Sequence, residues 1–276
     1  MSNGELAVGF VGTGQMGAPM VDRLLAAGVG VRLFARRPEV VARFERLGAT
    51  IARSAAALAD GVEVLIMCPF SPAQVEEILV GSGGVLAALR PGAVVIQHAT
   101  VSPDMIRGLA TQAAAGGVDL LDAPISGQAD DIRSGRLTVL LGGGAAAAAR
   151  VEPLLSAYSS TILPTGGVGS ASVVKLINNL AFAANLQVAV AVAGLGRKLG
   201  VDLDLLLRAL GACSGNSYAM GVLAAVGEEQ RFAEMALPYL RKDVALVEQT
   251  VADLGLDTGV LGEIVRAGPA KLVSID

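Results

Sequence analysis

The sequence is poor in the residues that build disulfide, metal and triad chemistry. Its 276 residues include no Trp, one His and two Cys, and aromatic residues make up 3%. Cys68 and Cys213 lie far apart, so neither a disulfide framework nor a metal site is expected. His98 stands alone, which excludes a Ser-His or Cys-His triad unless this one residue serves it.

Basic residues do not dominate, and no leader segment is evident. The net charge of −4 and a pI near 5.2 argue against a nucleic acid or an anionic membrane surface as partner. The N-terminus lacks a basic stretch and a small-residue cleavage site, so we expect a cytoplasmic protein. Apolar residues make up 53% and glycine contributes 35 residues, which predicts close packing of Ala, Val and Leu in two domains.

A glycine loop follows the first predicted strand. Residues 5–11 form a short apolar run, the sequence GTGQMG comes next, and a periodic helix follows. Strand, G-x-G-x-x-G and helix in this order predict a dinucleotide site, with the pyrophosphate at the helix N-terminus. The expected cofactor-binding residues of this loop are Gly12, Gly14, Gln15, Met16 and Gly17.

Two arginines follow the second predicted strand, residues 29–35. NAD-binding proteins place an acidic residue here for the ribose 2′-hydroxyl, whereas this chain has Arg36 and Arg37. Two guanidinium groups suit a 2′-phosphate, which favours NADP(H) over NAD(H). The alternative is that the two arginines form a basic turn that faces solvent and binds no phosphate.

Strand-like and helical segments then alternate. The further predicted strands are residues 62–67, 93–97, 118–122, 137–141 and 159–163. This alternation predicts an α/β fold with a doubly wound, mostly parallel sheet of the Rossmann type. The loops at 68–70, 98–100 and 122–128 should line one crevice at the carboxyl ends of the strands. A hydrogen-bonded structural role is favoured for His98 over contact with a ligand.

Residues 166–200 are predicted to form one long helix. Lys175 is its only ionisable residue before Arg197, and Asn178 and Asn179 follow it. Because residues four apart share a face, Lys175 and Asn179 project together. A lysine in apolar surroundings can act as an acid/base near neutral pH, whereas the alternative is a lysine that reaches water. A membrane span would meet the length rule, but four Asn and Gln residues and the abundance of Ala argue against it.

The predicted organisation is a dinucleotide-binding domain at 1–165, an interdomain helix at 166–200 and an all-α C-terminal domain at 201–276. Helical patterns in the last segment are broken near Gly215, Pro238 and Gly255.

The sequence resembles the β-hydroxyacid dehydrogenase family, which includes 3-hydroxyisobutyrate dehydrogenases and semialdehyde reductases. The resemblance spans nearly the whole chain and is carried by GFVGTGQMGAPM, DAPISGQ with GRLTVLLGG, GSASVVKLINN, and the Lys242-Asp243 pair in LRKDVAL. It implies an NAD(P)-dependent reaction between a hydroxyacid and a semialdehyde.

The resemblance also implies residue roles. Lys175 matches the family's general acid/base, and Ser126, Gly127 and Gln128 fall on the loop that binds the substrate carboxylate. Asn179 matches the amide that orients the substrate. Thr100 and Lys242 match family positions near the cofactor. Cys68 and Pro69, which follow a predicted strand at the crevice, are also expected to bind the cofactor.

Some residues depart from the family pattern. Gln128 replaces a common Gly, residues 97–99 replace a segment with Asp and Ser, and residues 214–218 lack the Arg and Trp of 3-hydroxyisobutyrate dehydrogenases. The reaction type therefore transfers better than the substrate. An imine reductase and a non-catalytic NADP-binding protein remain alternatives, while a sugar phosphate is not expected. Because members of this family are commonly dimers or tetramers, the resemblance implies a homodimer or homotetramer.

Overall fold

The computed structural model describes the backbone of residues 6–272, and their side chains except at 229, 230, 233–236 and 238. Glu5, where the predicted first strand begins, lies outside the described residues, as do the ends of the predicted terminal domains at 1–5 and 273–276. The chain divides into two compact units, residues 1–175 and 176–276, and each is described by itself.

The first unit is an α/β unit built on one sheet. Its strands are β1 (Val8–Val11), β2 (Val31–Phe34), β3 (Thr50–Ile51), β4 (Val64–Met67), β5 (Val94–Gln97), β6 (Asp119–Asp122), β7 (Ile125–Ser126), β8 (Leu137–Gly142) and β9 (Ser159–Gly166). Its helices are α1 (Gly17–Ala26), α2 (Pro38–Arg46), α3 (Ala55–Leu58), α4 (Pro72–Val80), α5 (Pro103–Ala115), α6 (Ala129–Arg133), α7 (Ala145–Leu155) and the start of α8 (Ser170–Lys198). A 3₁₀ turn lies at Leu86–Ala88.

The sheet has the strand order of a doubly wound fold. Strands β3-β2-β1-β4-β5-β6 are neighbours in that order and parallel, β8 pairs antiparallel with β6 and β7, and β9 runs parallel to β8. This is the Rossmann arrangement, so the predicted fold class is confirmed. All seven predicted strands are present. The two-residue strands β3 and β7 were not predicted, because two residues carry no periodicity.

Burial on both faces explains why the central strands are apolar at nearly every position. Phe10 and Ile96 belong to the core on one face of the sheet, and Leu65 and Val95 belong to the core on the other. Helices cover both faces, as parallel sheets require. A serine hydroxyl accepts a hydrogen bond from the first turn of α3, α4 and α5, and proline opens α4 and α5, so these helices begin where their sequences favour a start.

The second unit is helical. It contains the rest of α8, then α9 (Leu203–Gly211), α10 (Tyr218–Val226), α11 (Glu229–Asp253) and α12 (Gly259–Ala267). The predicted break near residue 238 is wrong, because α11 passes through this position without interruption. Phe232 before it and Leu240 after it are buried in the same core, which holds both halves of the helix.

The predicted long helix is present as α8, and it begins at Ser170 rather than at 166. Within residues 6–272, α8 is the one helix long and apolar enough to cross a membrane by length and composition, and half of its most apolar window is buried inside the protein. Leu176, Leu180 and Leu186 lie in the core of the second unit. A buried core helix passes the same test of length and composition.

Candidate active site

The glycine loop is shaped by two glycines and left open by a third. Gly12 has a φ of +98°, and a Cβ built on it would lie 2.8 Å from the backbone nitrogen of Pro69. A Cβ on Gly17 would collide with the carbonyl oxygen of Gly12. At Gly14, a Cβ would meet no protein atom within 4 Å. The loop therefore packs tightly against β4 and α1 but leaves space beside Gly14, as a dinucleotide phosphate at a helix N-terminus needs.

The two remaining residues of the predicted loop lie at its outer edge. Gln15 is exposed, and Met16 is half-buried at the start of α1. Met16 also packs against the core beneath β1. Its side chain therefore serves the fold whether or not it borders a cofactor.

The loops after β4, β5 and β6 begin side by side. The backbone nitrogen of Cys68 donates to the carbonyl of Val11 at 2.9 Å, and that of His98 donates to Met67 at 2.9 Å. After β6, the backbone nitrogen of Ala123 donates in the same way to the carbonyl oxygen of Gln97, the last residue of β5, at 2.7 Å. Half-buried Thr100 follows two residues after His98, and buried Pro69 follows Cys68. The structure thus brings the predicted crevice loops to one edge of the sheet.

His98 is a buried and fully hydrogen-bonded residue. Its Nδ1 lies 2.6 Å from the carbonyl oxygen of Ala123, and its Nε2 lies 2.9 Å from the hydroxyl of Tyr158. A carbonyl only accepts, so Nδ1 carries the proton and Nε2 accepts from the hydroxyl. Burial lowers the pKa of His98 to about 4, although the hydrogen bond to Ala123 opposes this shift. His98 is therefore a structural histidine, and it is neutral near neutral pH.

Cys68 and Tyr158 are also held in their uncharged forms. Burial raises the pKa of the Cys68 thiol to about 12. Burial raises the pKa of Tyr158 well above its usual range, and the repulsion between its phenolate and a Cys68 thiolate adds to this shift. Because a thiol rather than a thiolate borders the glycine loop, Cys68 contributes shape and not a nucleophile.

The two arginines after β2 have different surroundings. Arg37 donates from Nη2 to the carbonyl oxygen of Thr13 at 3.1 Å, which places its side chain against the glycine loop. Arg36 instead donates to Glu77 on α4 at 3.0 Å. Both side chains remain well exposed, at 66% for Arg36 and 62% for Arg37. Each arginine has an acidic neighbour, Glu77 at 3.0 Å from Arg36 and Glu39 at 3.8 Å from Arg37. The structure also brings Arg37 to the predicted phosphate loop.

The predicted substrate loop leaves β6 and passes through β7. Ser126 is half-buried on β7, and Gly127 and Gln128 are exposed. Gly127 has a φ of +131° and lies over Asp131 and Leu137, so a side chain there would be strained. The backbone nitrogen of Gln128 donates to the carboxylate of Asp131 at 2.8 Å, which fixes the start of α6.

Asp122, at the end of β6, holds the start of α8, the helix that carries Lys175. Its carboxylate is fully buried and accepts hydrogen bonds from the backbone nitrogens of Gly169 and Ser172, each at 2.8 Å, and from the Ser172 hydroxyl at 3.1 Å. Lys175 is half-buried. Sequence reasoning missed this role, although Gly169 before the helix lacks a side chain that could cap it.

In the second unit, Asn179 belongs to a chain of polar groups. Its Nδ2 donates to Asp243 at 2.7 Å, and its Oδ1 accepts from Asn178 at 3.2 Å. Lys242 Nζ lies 3.1 Å from the other carboxylate oxygen of Asp243. Two predicted site residues, Asn179 and Lys242, are thus connected through Asp243. Sequence reasoning named Asp243 only as the neighbour of Lys242.

Two family models match consecutive parts of this chain. The NAD-binding domain of 6-phosphogluconate dehydrogenase matches residues 7–167, and the NAD-binding domain of NADP-dependent 3-hydroxyisobutyrate dehydrogenase matches residues 169–270. The 3-hydroxyisobutyrate dehydrogenase of Pseudomonas aeruginosa is 34% identical over 215 residues, which cover 78% of this chain and 72% of the relative. The chain belongs to the β-hydroxyacid dehydrogenase family. It is an NAD(P)-dependent oxidoreductase that acts on CH–OH groups.

Relatives of this dehydrogenase differ in the substrates that their names give. The 2-(hydroxymethyl)glutarate dehydrogenase of Eubacterium barkeri is 33% identical over 216 residues, covering 78% of this chain and 72% of its own. Among solved structures, 3-hydroxyisobutyrate dehydrogenase from Mycobacterium tuberculosis with L-serine has a TM-score of 0.83 at 26% identity, covering 95% of this chain and 91% of its own. An imine reductase from Streptomyces aurantiacus has a TM-score of 0.66 at 20% identity, covering 95% of this chain and 92% of its own, and shows the fold alone.

Proposed function

We propose that this dehydrogenase transfers hydride between NADP(H) and a short β-hydroxyacid or semialdehyde, with Lys175 as general acid/base. The observation that carries the proposal is that Asp122, at the end of β6, joins the predicted substrate loop to the start of α8. The loop with Ser126 begins at Asp122, and the helix with Lys175 is hydrogen-bonded to the same residue. Such an arrangement supports a carboxylate-binding loop and a proton-exchanging amine in one site.

The residues of the chain divide between cofactor and substrate. The nicotinamide cofactor supplies or accepts the hydride when bound. The proposed cofactor-binding residues are Gly12, Gly14, Gln15, Met16, Gly17, Arg36, Arg37, Cys68, Pro69, Thr100 and Lys242. The substrate carboxylate is bound by the Ser126 hydroxyl, the Gly127 backbone N–H and the Gln128 side-chain amide, and Asn179 orients the substrate. Lys175 exchanges a proton with the substrate oxygen.

NADP(H) is proposed over NAD(H) because of Arg37. Its guanidinium lies against the glycine loop at Thr13, and β2 ends at Phe34 without the Asp or Glu that would hold a ribose 2′-hydroxyl.

The proposed domain limits are 1–165, 166–200 and 201–276, and the middle segment is proposed as an interdomain helix. A cytoplasmic location is part of the same proposal.

A homo-oligomer is also proposed, as a homodimer or homotetramer. Large apolar side chains are exposed along one face of α8 in the second unit, with 60% of Ile177, 42% of Val188 and 57% of Leu195 accessible. Their spacings of eleven and seven residues keep them on the same side of a helix. Val188→Glu should shift the mass measured by light scattering toward the monomer, whereas an unchanged mass would contradict this face as the contact.

The experiment that tests the function is a turnover screen with NADPH and NADH across short semialdehydes, their hydroxyacids and cyclic imines. Lys175→Ala should lower kcat roughly 100-fold or more while NADPH still binds. Lys198→Ala is the matched control, because Lys198 lies exposed at the end of the same helix and should keep full activity. Unchanged kcat in Lys175→Ala would end the proposed mechanism. Turnover of imines alone, or tight NADPH binding without any turnover, would point to the two alternatives.

A further inference from the structure

The N-terminus of α8 is capped from a different element of the fold. In a capping box, the side chain before the helix accepts from the backbone N–H of the third helical residue, and that residue's side chain accepts from the N–H of the capping residue. Here the helix begins at Ser170, so Gly169 is the capping position and Ser172 is the third residue. Asp122 accepts from both backbone N–H groups. One carboxylate on β6 therefore performs both halves of the box.

Neither local residue can replace this carboxylate. Gly169 has no side chain, and its φ of +88° disfavours any residue that has one. A Cβ at this position would also lie 2.9 Å from Nε of Arg107. The hydroxyl of Ser172 donates to Asp122 instead of serving its own helix. The N–H groups of Gly169 and Ser172, which have no acceptor within the helix, therefore depend on Asp122.

The surrounding strands leave room for this contact and add to it. A Cβ at Gly142, at the end of β8, would collide with the Asp122 carboxylate and lie 2.9 Å from the hydroxyl of Ser170. The hydroxyl of Thr165 on β9 lies 2.7 Å from that of Ser170. A buried carboxylate with three donors at a helix N-terminus is favourable, because the charge is satisfied and the helix dipole is complemented. The first turn of α8 is thus hydrogen-bonded to β6 and β9, and Gly142 on β8 leaves the space for these bonds.

We propose that Asp122 is a positioning residue for Lys175. Lys175 follows Ser172 by three residues, less than one helical turn, so the hydrogen bonds to Asp122 set the rotation and depth of the lysine. Asp122 is also the first residue of the loop that carries Ser126. The same carboxylate therefore fixes the amine relative to the carboxylate-binding loop, where displacements of about 1 Å can lower turnover roughly 100-fold. This inference rests on the proposed function of Lys175.

The test compares Asp122→Asn with Asp119→Asn. An asparagine keeps the shape of the side chain, but its amide nitrogen cannot accept the second backbone N–H. Asp119 lies exposed on the same strand and touches no part of α8 in the described contacts, so it serves as the control. Asp122→Asn should lower kcat by about 10- to 100-fold, with NADPH affinity within about threefold of wild type. Substrate KM should change less than kcat.

A general loss of stability is separated from positioning by a third variant. Val95→Ala weakens the core of the same unit without touching α8, and it should keep kcat when it is assayed below its unfolding temperature. Equal kcat losses in Val95→Ala and Asp122→Asn would overturn the positioning role. An unchanged kcat in Asp122→Asn would overturn it as well.

A readout without turnover keeps this inference separate from the proposed function. Hydrogen exchange of residues 169–175, and the rate at which an acylating reagent labels Lys175, should both rise in Asp122→Asn, while exchange in α1 and α5 stays unchanged. Unchanged exchange and labelling would overturn the inference even if the enzyme turns over. If wild type shows no turnover but Asp122→Asn loosens the segment, the proposed function fails and the control of Lys175 by Asp122 stands.

Discussion

The imidazole of His98 and the phenol of Tyr158 meet edge to face inside the first unit. Their ring centroids lie 5.8 Å apart at an interplanar angle of 82°, and the Tyr158 hydroxyl donates to His98 Nε2 at 2.9 Å. Because the other ring nitrogen donates to a backbone carbonyl, an added proton would have to bind Nε2, where it would break the hydrogen bond that the Tyr158 hydroxyl donates. The pair links the turn before β9 to the loop after β5, next to the strand ends that form the candidate site.

The first prediction concerns stability against pH. Burial lowers the pKa of His98 to about 4 in the folded protein, against an ordinary value of 6.5. The unfolded chain therefore binds the proton first as pH falls, so the contribution of neutral His98 is complete above about pH 6.5 and is lost as pH falls toward about 4. The shift corresponds to roughly 3 kcal/mol at most. Urea unfolding at pH 7.5 and pH 5 measures the difference.

His98→Asn provides the comparison, because it removes the titrating ring. The stability difference between the two pH values should be smaller in this variant than in wild type. Tyr158→Phe keeps the His98 imidazole and should keep the pH dependence. Its free energy of unfolding should be lower by about 1 kcal/mol at both pH values, because the hydrogen bond from the Tyr158 hydroxyl is missing. An equally steep pH dependence in His98→Asn and wild type would show that other groups cause it.

The second prediction separates two glycines of the same loop. Gly14→Ala should leave the free energy of unfolding within about 0.5 kcal/mol, because a Cβ there meets no protein atom within 4 Å. NADPH affinity should fall at least tenfold, since the methyl group occupies the space that the phosphate needs. Gly17→Ala should instead cost about 1–3 kcal/mol or more of stability, because its Cβ collides with the Gly12 carbonyl. Thermal unfolding and nicotinamide fluorescence titration measure both effects.

Equal effects of the two substitutions would contradict this division. If Gly14→Ala bound NADPH normally, the open space beside Gly14 would not be the phosphate position. If Gly17→Ala were as stable as wild type, α1 would move away from β1 at little cost.

The glycine loop and the long helix could be predicted because each has a local signal. A strand, a G-x-G-x-x-G sequence and a periodic helix are readable over about twenty residues, and the apolar run with one lysine predicts α8 over most of its length. The helix start was misplaced by four residues. Its cap is Asp122, 47 residues earlier than Gly169, and no local pattern reports a capping group on another strand.

Contacts between residues far apart in the sequence also determine the partners of Arg36 and Asp243, which the sequence did not predict. The sequence treated Arg36 and Arg37 as equivalent, whereas Glu77 on α4 pairs with only one of them. Asp243 followed Lys242 without a role of its own, and only the fold brings it to Asn179. Such pairings depend on how elements pack, which the hydrophobic period of each element does not specify.

The third prediction tests the unequal surroundings of the two arginines. Arg37→Gln should weaken NADPH roughly 10- to 100-fold, because a charge-assisted hydrogen bond to a phosphate is lost, and should weaken NADH only a few-fold. Arg36→Gln should have the smaller effect, since Arg36 lies 3.0 Å from Glu77, whereas Arg37 lies 3.8 Å from Glu39 and donates to the glycine loop. Glu77→Gln should tighten NADPH by releasing Arg36. Fluorescence titration of both cofactors measures these affinities, and equal losses of NADPH and NADH in Arg37→Gln would contradict the assignment.

The fourth prediction concerns Gln187, which is buried in the second unit. Its Nε2 donates to the carbonyls of Val265 and Ala270 at 2.9 and 2.6 Å, and its Oε1 accepts from the nitrogen of Ala270 at 2.8 Å. Gln187→Leu leaves these backbone groups unpaired and should cost about 2–4 kcal/mol of stability. Hydrogen exchange at Ala270 should also accelerate, since its donor loses its acceptor.

Asn185→Ala is the matched control for Gln187. Asn185 lies on the same helix two residues earlier but is exposed, so its loss should change stability by less than about 0.5 kcal/mol. Urea unfolding of both variants gives the comparison. If Gln187→Leu proved as stable as Asn185→Ala, the apolar contacts of the buried Leu272 and its neighbours, rather than the glutamine amide, would hold the segment after α12 on the core.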